Sequence, residues 1–116
     1  MEKELEHADC PVTATIALFG GRWKLPILYI LSKNTRRFGE IQVRVPSISK
    51  KVLTNQLREL EADGLISRKQ YKELPPRVEY TLTDFGKTLC PLLIDIAAWQ
   101  RKRIEFSGQG KIKFSD

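Results

Sequence analysis

The strongest constraint on the fold is a change of hydrophobic period between residues 49 and 82. Ser49 is a good N-cap for a helix, and Gly64 supplies the left-handed C-cap that ends one. Between them, leucines recur every three or four residues, at Leu53, Leu57 and Leu60. After Gly64 the pattern becomes the apolar–polar alternation of a strand, as in the run VEYTL at residues 78–82. The segment therefore predicts an amphipathic helix followed directly by β-structure.

The β-structure is predicted to be a two-stranded hairpin. The run RKQY at residues 68–71 is separated from VEYTL by KELPPR at residues 72–77. Proline fixes its own backbone angle and lacks an N–H donor, so Pro75 and Pro76 favour a loop over a paired strand. We expect two short strands joined by a stiff, exposed loop.

The first half of the chain is predicted to be helical. Cys10 and Pro11 suit the N-cap and first position of a helix, and Gly20-Gly21 ends it. The predicted helices cover about 11–19, 23–31 and 39–45, with the polar turn KNTRR before the third. Pro46 ends the third helix, and the four residues 46–49 separate it from the helix that Ser49 caps. Two helices joined by so short a break predict a helix-turn-helix.

The C-terminal part is predicted to form a helix that begins after Thr83. Pro91 lies within it and should kink or restart it near Cys90. Its apolar stripe consists of Leu89, Leu92, Leu93, Ile96 and Trp99. The fold class is therefore mainly α with a small β-hairpin wing, in one domain over residues 10–106. Residues 1–9 are predicted to be a flexible segment, and residues 107–116 a frayed tail.

Positive charge is concentrated in one part of the sequence. The formal net charge is +6, but between Arg22 and Arg58 nine basic residues stand against one acidic residue, Glu40. Because such a block attracts a polyanion, it points to nucleic acid as a partner.

The helix capped by Ser49 carries the side chains expected of a DNA-reading helix. With its leucines turned inward, its opposite face presents Ser49, Lys50, Lys51, Thr54, Asn55 and Arg58. Lysine and arginine reach phosphates or guanine edges, asparagine pairs with adenine, and the threonine methyl packs on thymine. Lys72 and Arg77 flank the proline-containing loop and are expected to contact the minor groove. These eight residues form the predicted DNA-binding set.

The same residues resemble a known family. The run LTNQLRELEADGLI at residues 53–66 and the run PPRVEYTLT at residues 75–83 closely resemble the HxlR-type regulators, a MarR-like winged helix-turn-helix family. The resemblance covers about residues 10–99. It implies a bacterial, homodimeric promoter-binding protein whose terminal helices form the dimer. Ser47 stands where that family usually has glycine, and we expect serine to fit the turn.

The dimer interface is expected on the last helix, at Leu92, Leu93, Ile96 and Trp99, with the first helix packed on it. The apolar stripe is longer than one small winged domain needs to cover itself. Two protomers would place their recognition helices about 34 Å apart, one turn of DNA, and would read an inverted repeat.

Enzyme signatures are sparse in this sequence. His7 is the sole histidine, and we find no glycine-rich phosphate loop, metal-ligand spacing or CxxC motif. We therefore expect no catalytic activity, no cofactor and no metal. The absence of a signal peptide pattern or long apolar run favours the cytoplasm and no membrane contact. The target promoter, the effector and the direction of regulation stay open.

Two alternatives to a DNA-binding regulator are weighed. One is a winged-helix protein-interaction module that does not bind DNA, which the basic face of the recognition helix argues against. The other is a thiol-based redox enzyme that uses Cys10, for which neither a resolving cysteine nor a catalytic base is evident.

Cys10 is a candidate redox-sensing residue. A thiol at a helix N-cap should have its thiolate stabilised by the helix dipole, whereas the neighbouring Asp9 raises its pKa. The resemblance also favours a sensing role, because several HxlR-type proteins sense oxidants through a cysteine at this place. The opposing interpretation is an inert helix cap, and the sequence leaves both open. Cys90, before Pro91 and among apolar residues, is expected to be buried and unreactive.

Overall fold

The fold is seen in a computed structural model that describes residues 10–109. The helices are α1 Pro11–Phe19, α2 Lys24–Lys33, α3 Phe38–Arg44, α4 Lys50–Ala62, α5 Asp84–Lys87 and α6 Cys90–Gly108. The strands are β1 Arg36–Arg37, β2 Ile66–Tyr71 and β3 Arg77–Leu82. The predicted flexible segment 1–9, with His7, and residues 110–116 of the predicted tail lie outside the described range.

Capping residues place most helix ends where the sequence predicts them. Cys10 is the N-cap of α1, and the helix ends immediately before Gly20. Thr83 caps α5, because its hydroxyl accepts a hydrogen bond from the Gly86 N–H at 2.9 Å. Pro91 stands in the first turn of α6, so the helix restarts at Cys90 as predicted. At its other end α6 continues to Gly108, so residues 107 and 108 of the predicted frayed tail are helical.

The sheet has three strands where the sequence predicts two. Its order is β1-β3-β2, with all neighbours antiparallel. The extra strand, Arg36–Arg37, comes from the polar segment KNTRR and pairs with Glu79 and Tyr80 of β3. Two residues are too few to show an alternating pattern, and only the approach of β3 supplies their backbone partners. The predicted two-stranded hairpin is therefore corrected to a hairpin with a short third strand.

One core joins the helices to the sheet. The buried leucines of α4 pack with residues of α2, α3 and the two long strands. Its fully enclosed side chains are Ile27, Leu28, Ile41, Leu53, Leu57, Leu60, Leu65 and Ile66. Because all three leucines of α4 lie in this core, the opposite face of that helix is held outward.

Ser47 occupies a backbone conformation that glycine adopts more easily. Its φ angle is +69°, in the left-handed region, where the Cβ of an L-residue approaches the backbone. Serine therefore occupies the turn, but in a conformation that is strained for a residue with a Cβ. The backbone nevertheless forms the turn, and α4 begins at Lys50 immediately after its N-cap Ser49.

Candidate nucleic-acid interface

The exposed face of α4 brings together the predicted DNA-reading side chains. The Ser49 hydroxyl accepts a hydrogen bond from the Val52 N–H at 3.1 Å and so fixes the start of the helix. Within the helix itself, Lys50, Lys51, Asn55 and Arg58 are exposed, as is the capping residue Ser49. Thr54 is half-buried, and its hydroxyl donates to the Lys50 carbonyl at 2.7 Å. The N-terminal half of α4 thus carries a basic, hydrogen-bonding surface.

An ion pair anchors the other side of α4 to the helical core. Lys24 Nζ of α2 lies 2.8 Å from Glu59 Oε1, and the lysine side chain is largely buried. The pair fixes the orientation of α4 against α2, and it neutralises the Glu59 carboxylate of α4. The acidic residues of α4, Glu59 and Glu61, lie towards its C-terminal end, away from Lys50 and Lys51.

The two predicted wing contacts differ in their surroundings. Lys72 is exposed, whereas Arg77 is 26% exposed and its guanidinium lies 3.9 Å from the centre of the Tyr71 ring. Arg77 also pairs with Glu73 at 3.3 Å and approaches Glu79 at 3.7 Å. Its charge is therefore largely compensated within the wing. Arg77 thus helps to hold the base of the wing together, and its contact with the minor groove stays a prediction.

Glu40, the single acidic residue in the basic block, serves the helix-turn-helix structurally. Its Oε1 accepts a hydrogen bond from the Arg37 N–H at 2.8 Å, at the start of α3. This bond, with the positive charges of Arg36, Arg37 and Arg44, lowers the pKa of the Glu40 carboxyl.

A cleft between α4 and the sheet brings in residues that the sequence did not single out. It has a volume of about 380 Å³ and is lined by Phe38, Thr54, Leu57, Arg58, Glu61, Arg68 and Tyr80. Arg68 is absent from the predicted set, because its strand reads as an ordinary polar run. The alternation of β2 contains the missed signal, since Arg68 falls on the same face as the buried Ile66, towards α4.

Cys10 is exposed and its thiol is engaged at the start of α1. Its Sγ accepts a hydrogen bond from the Thr13 N–H at 3.4 Å. Hydrogen bonds from the Thr13 side chain and backbone lower the pKa of the Cys10 thiol. Cys90 is half-buried and packs against the core, so it is less enclosed than expected, and its low reactivity stays a prediction.

A second surface, formed by α1 and α6, is apolar and exposed. Its large hydrophobic side chains include Val12, Ile16, Leu92, Ile96 and Trp99. A cleft of about 340 Å³ lies between the two helices, and Val12, Ile16, Leu92 and Ile96 form half of its lining. Leu93 corrects the predicted interface set: it is 3% exposed and packs in the core of its own chain.

Among residues 10–109, no helical segment has the length and hydropathy of a membrane span. In the same part of the chain, no three His, Cys, Asp or Glu side chains gather into a metal-binding group.

The arrangement of elements defines a winged helix-turn-helix protein. Helices α3 and α4 are joined by the turn at residues 45–49, and β2 and β3 follow as the wing. The chain belongs to the HxlR-like helix-turn-helix family, whose sequence profile matches residues 18–107.

Relatives of this chain are transcriptional regulators. It is 47% identical over 97 residues to the HTH-type transcriptional regulator YdeP of Bacillus subtilis strain 168, covering 84% of this chain and 76% of YdeP. It is a regulator of this family and not an enzyme, because both the family and its relatives are transcriptional regulators.

Solved structures agree with this assignment. The redox regulator HypR in its reduced form is 40% identical with a TM-score of 0.78, covering 86% of this chain and 99% of HypR. The reduced form of the transcriptional regulator YodB from B. subtilis is 36% identical with a TM-score of 0.67, covering 78% of this chain and 89% of YodB. The winged-helix fold predicted from the sequence is thereby confirmed.

Proposed function

We propose that this chain is a sequence-specific DNA-binding regulator that inserts α4 into the major groove. The observation that carries the proposal is the division of α4 into two faces. Its leucines are buried in the core, while Lys50, Lys51, Asn55 and Arg58 are exposed together on the other side. A rigidly anchored helix with amide and cationic side chains in its N-terminal half suits direct readout of base edges.

The proposal includes a homodimer that binds an inverted repeat. The exposed Leu92, Ile96 and Trp99 of α6, with Val12 and Ile16 of α1, supply an apolar surface on which a second copy packs. Two-fold symmetry then places two α4 helices about 34 Å apart, so that successive major grooves on one side of the DNA are read.

The wing is proposed to contribute chiefly through Lys72. Because Lys72 is exposed near the loop tip, it contacts a phosphate or the minor-groove edge. Arg77, compensated by Glu73 and Glu79, acts by keeping β2 and β3 in register.

The test is the salt dependence of binding to the DNA upstream of the protein's own gene. Binding is measured by gel shift and fluorescence anisotropy between about 50 and 200 mM salt. Asn55→Ala is expected to cost about 1–3 kcal/mol and to relax sequence preference. Lys72→Ala is expected to weaken all sequences and to flatten the salt slope by about one unit.

The matched control is Lys87→Ala, an exposed lysine on α5. Gly86 of that helix packs against Leu65, beyond the C-terminal end of α4, so Lys87 should leave binding unchanged. If the unmodified protein gives no salt-dependent shift, the alternative of a protein-interaction module is favoured.

A redox input through Cys10 is the second part of the proposal. The similar structures include a protein described as a redox regulator, and Cys10 is exposed with a lowered thiol pKa. A larger thiolate fraction reacts faster with oxidants. We infer that oxidation of Cys10, alone or across the dimer, shifts the packing of α1 and thus the spacing of the two α4 helices.

The decisive comparison is operator affinity before and after diamide treatment, in the unmodified protein and in Cys10→Ser. Diamide is expected to change affinity only where Cys10 is present. Equal affinities in all four measurements would reduce Cys10 to a helix cap.

A further inference from the structure

The cleft between α4 and the sheet, called here the helix–sheet cleft, has a cationic side chain on each wall. Arg58 projects from α4 and Arg68 from β2, and both are exposed. Phe38 and Tyr80 contribute to the rest of its lining. At about 380 Å³, the cleft has room for a group larger than a single water molecule.

Neither arginine has an internal partner in the described part of the chain. Within residues 10–109, neither Arg58 nor Arg68 forms a salt bridge or a side-chain hydrogen bond. Arg77 differs from these two arginines, because Glu73, Glu79 and the Tyr71 ring already surround its guanidinium. Two cations that line one cleft and are not engaged in an ion pair favour an anionic ligand.

Strand register extends the positive charge across the sheet. Arg68 of β2 and Arg36 of β1 both pair with Tyr80 of β3, so the three side chains share one face. Arg36 is half-buried and its cross-strand partner Tyr80 lines the cleft, so a third positive charge lies on this face of the sheet.

One acidic residue sets the position of the anion within the cleft. Glu61 lies one turn beyond Arg58, near the negative end of the α4 dipole. An anion is therefore favoured at the opposite end, near Thr54 and Arg58, where it also approaches Arg68.

We propose that the helix–sheet cleft seats a phosphate of the DNA backbone between Arg58 and Arg68. This rests on the proposed function, because it requires α4 in the major groove and the wing in the adjacent minor groove. One sugar–phosphate strand separates neighbouring grooves, so elements placed in both hold that strand between them. Arg68 is then a phosphate-contacting residue that fixes the register of α4 on the duplex without reading sequence.

Arg68→Ala tests the proposal, with Lys69→Ala as the matched control. Both are exposed cations on β2, but Lys69 points to the opposite face of the sheet. Arg68→Ala should weaken operator and unrelated DNA alike by about tenfold and reduce the salt slope by about 0.9. Lys69→Ala should change the DNA affinity and the salt slope much less than Arg68→Ala does. Equal losses in both variants would overturn the proposal.

Arg68→Gln keeps most of the length of the side chain and removes its charge. It serves as a second variant that is less able to disturb folding than Arg68→Ala. Thermal unfolding of each variant should match that of the unmodified protein. If Arg68→Gln keeps full affinity and the full salt slope, Arg68 does not contact phosphate.

Single methylphosphonate substitutions along the operator identify the contact directly. At one position per half-site, removing the phosphate charge should weaken the unmodified protein and have little effect on Arg68→Gln. Additive losses at every position would overturn the proposal and leave DNA binding by α4 intact. If the unmodified protein does not bind the duplex at all, the proposed function fails first, so the two failures are distinguishable.

Discussion

Helices α4 and α6 differ in how completely the single chain covers their apolar side chains. In α4 every leucine of the stripe is buried, so its hydrophobic surface is fully used within one protomer. In α6 Leu93 alone is buried, while Leu92, Ile96 and Trp99 remain exposed. The two helices therefore differ in what they expose: α4 exposes a polar face above a fully packed core, and α6 exposes apolar side chains on which the proposed second copy would pack.

The largest expected effect comes from truncating the buried side of α4. Leu57 is 1% exposed, so Leu57→Ala leaves a cavity and should lower the free energy of unfolding by about 2–5 kcal/mol. Ile96→Ala removes a similar volume on α6, where the side chain is 44% exposed, and should cost the monomer much less. Urea unfolding at low protein concentration checks the pair, and equal losses would remove the distinction between the two helices.

A charge on the exposed side of α6 should act on assembly instead of folding. Trp99 is 63% exposed in the single chain, so Trp99→Asp is expected to leave the protomer folded. It should raise the dimer dissociation constant about 100-fold, because an unpaired charge and a lost aromatic contact both fall in the interface. Sedimentation velocity across a concentration series measures this. A monomeric unmodified protein at micromolar concentration would contradict the prediction.

A smaller effect is expected where the chain enters α4. Replacing the left-handed Ser47 by glycine relieves the Cβ contact and should stabilise the protein by about 0.5–1 kcal/mol after the greater freedom of the unfolded chain is subtracted. Ser47→Ala is the control, because it keeps the Cβ and should bring no gain. Thermal unfolding compares the three proteins.

The smallest effect concerns pH and lies outside both helices. The folded pKa of Glu40 on α3 is lowered, so its carboxylate contributes stability above the unfolded pKa, and this contribution is lost as the pH falls through the folded pKa. Glu40→Gln should therefore be less stable than the unmodified protein at pH 7, with the difference vanishing in acid. Unfolding curves from pH 7 to pH 3 test this, and a difference independent of pH would contradict the assigned cause.

The sequence predicts α4 well because local chemistry determines it. Ser49, Gly64 and three leucines at helical spacing specify a cap, an end and a buried face without reference to the rest of the chain. The short strand Arg36–Arg37 has no such local signal, because it exists only where β3 approaches. Leu93 and Leu92 are adjacent apolar residues, and only tertiary packing decides which one enters the core.

The residues of the candidate site also differ in whether local sequence or tertiary packing determines their role. The basic face of α4 follows from helical periodicity, so the sequence alone predicts it. The pairing of Arg77 with Glu73 and Glu79 depends on how the wing folds back, and a list of charges does not reveal it. Arg68 was missed because its importance comes from the cleft that α4 makes with the sheet, which is a property of packing.

The pairing of β1 with β3 also constrains how the molecule assembles itself. Arg36 and Tyr80 come from opposite halves of the chain, so closing this ladder carries the entropy cost of a long loop. The helical segments can form early from local contacts, whereas the sheet becomes complete only after the whole wing has been synthesised. A nascent chain that stops before Glu79 therefore already contains α4 but lacks the residues of β3 that pair with Arg36 and Arg37.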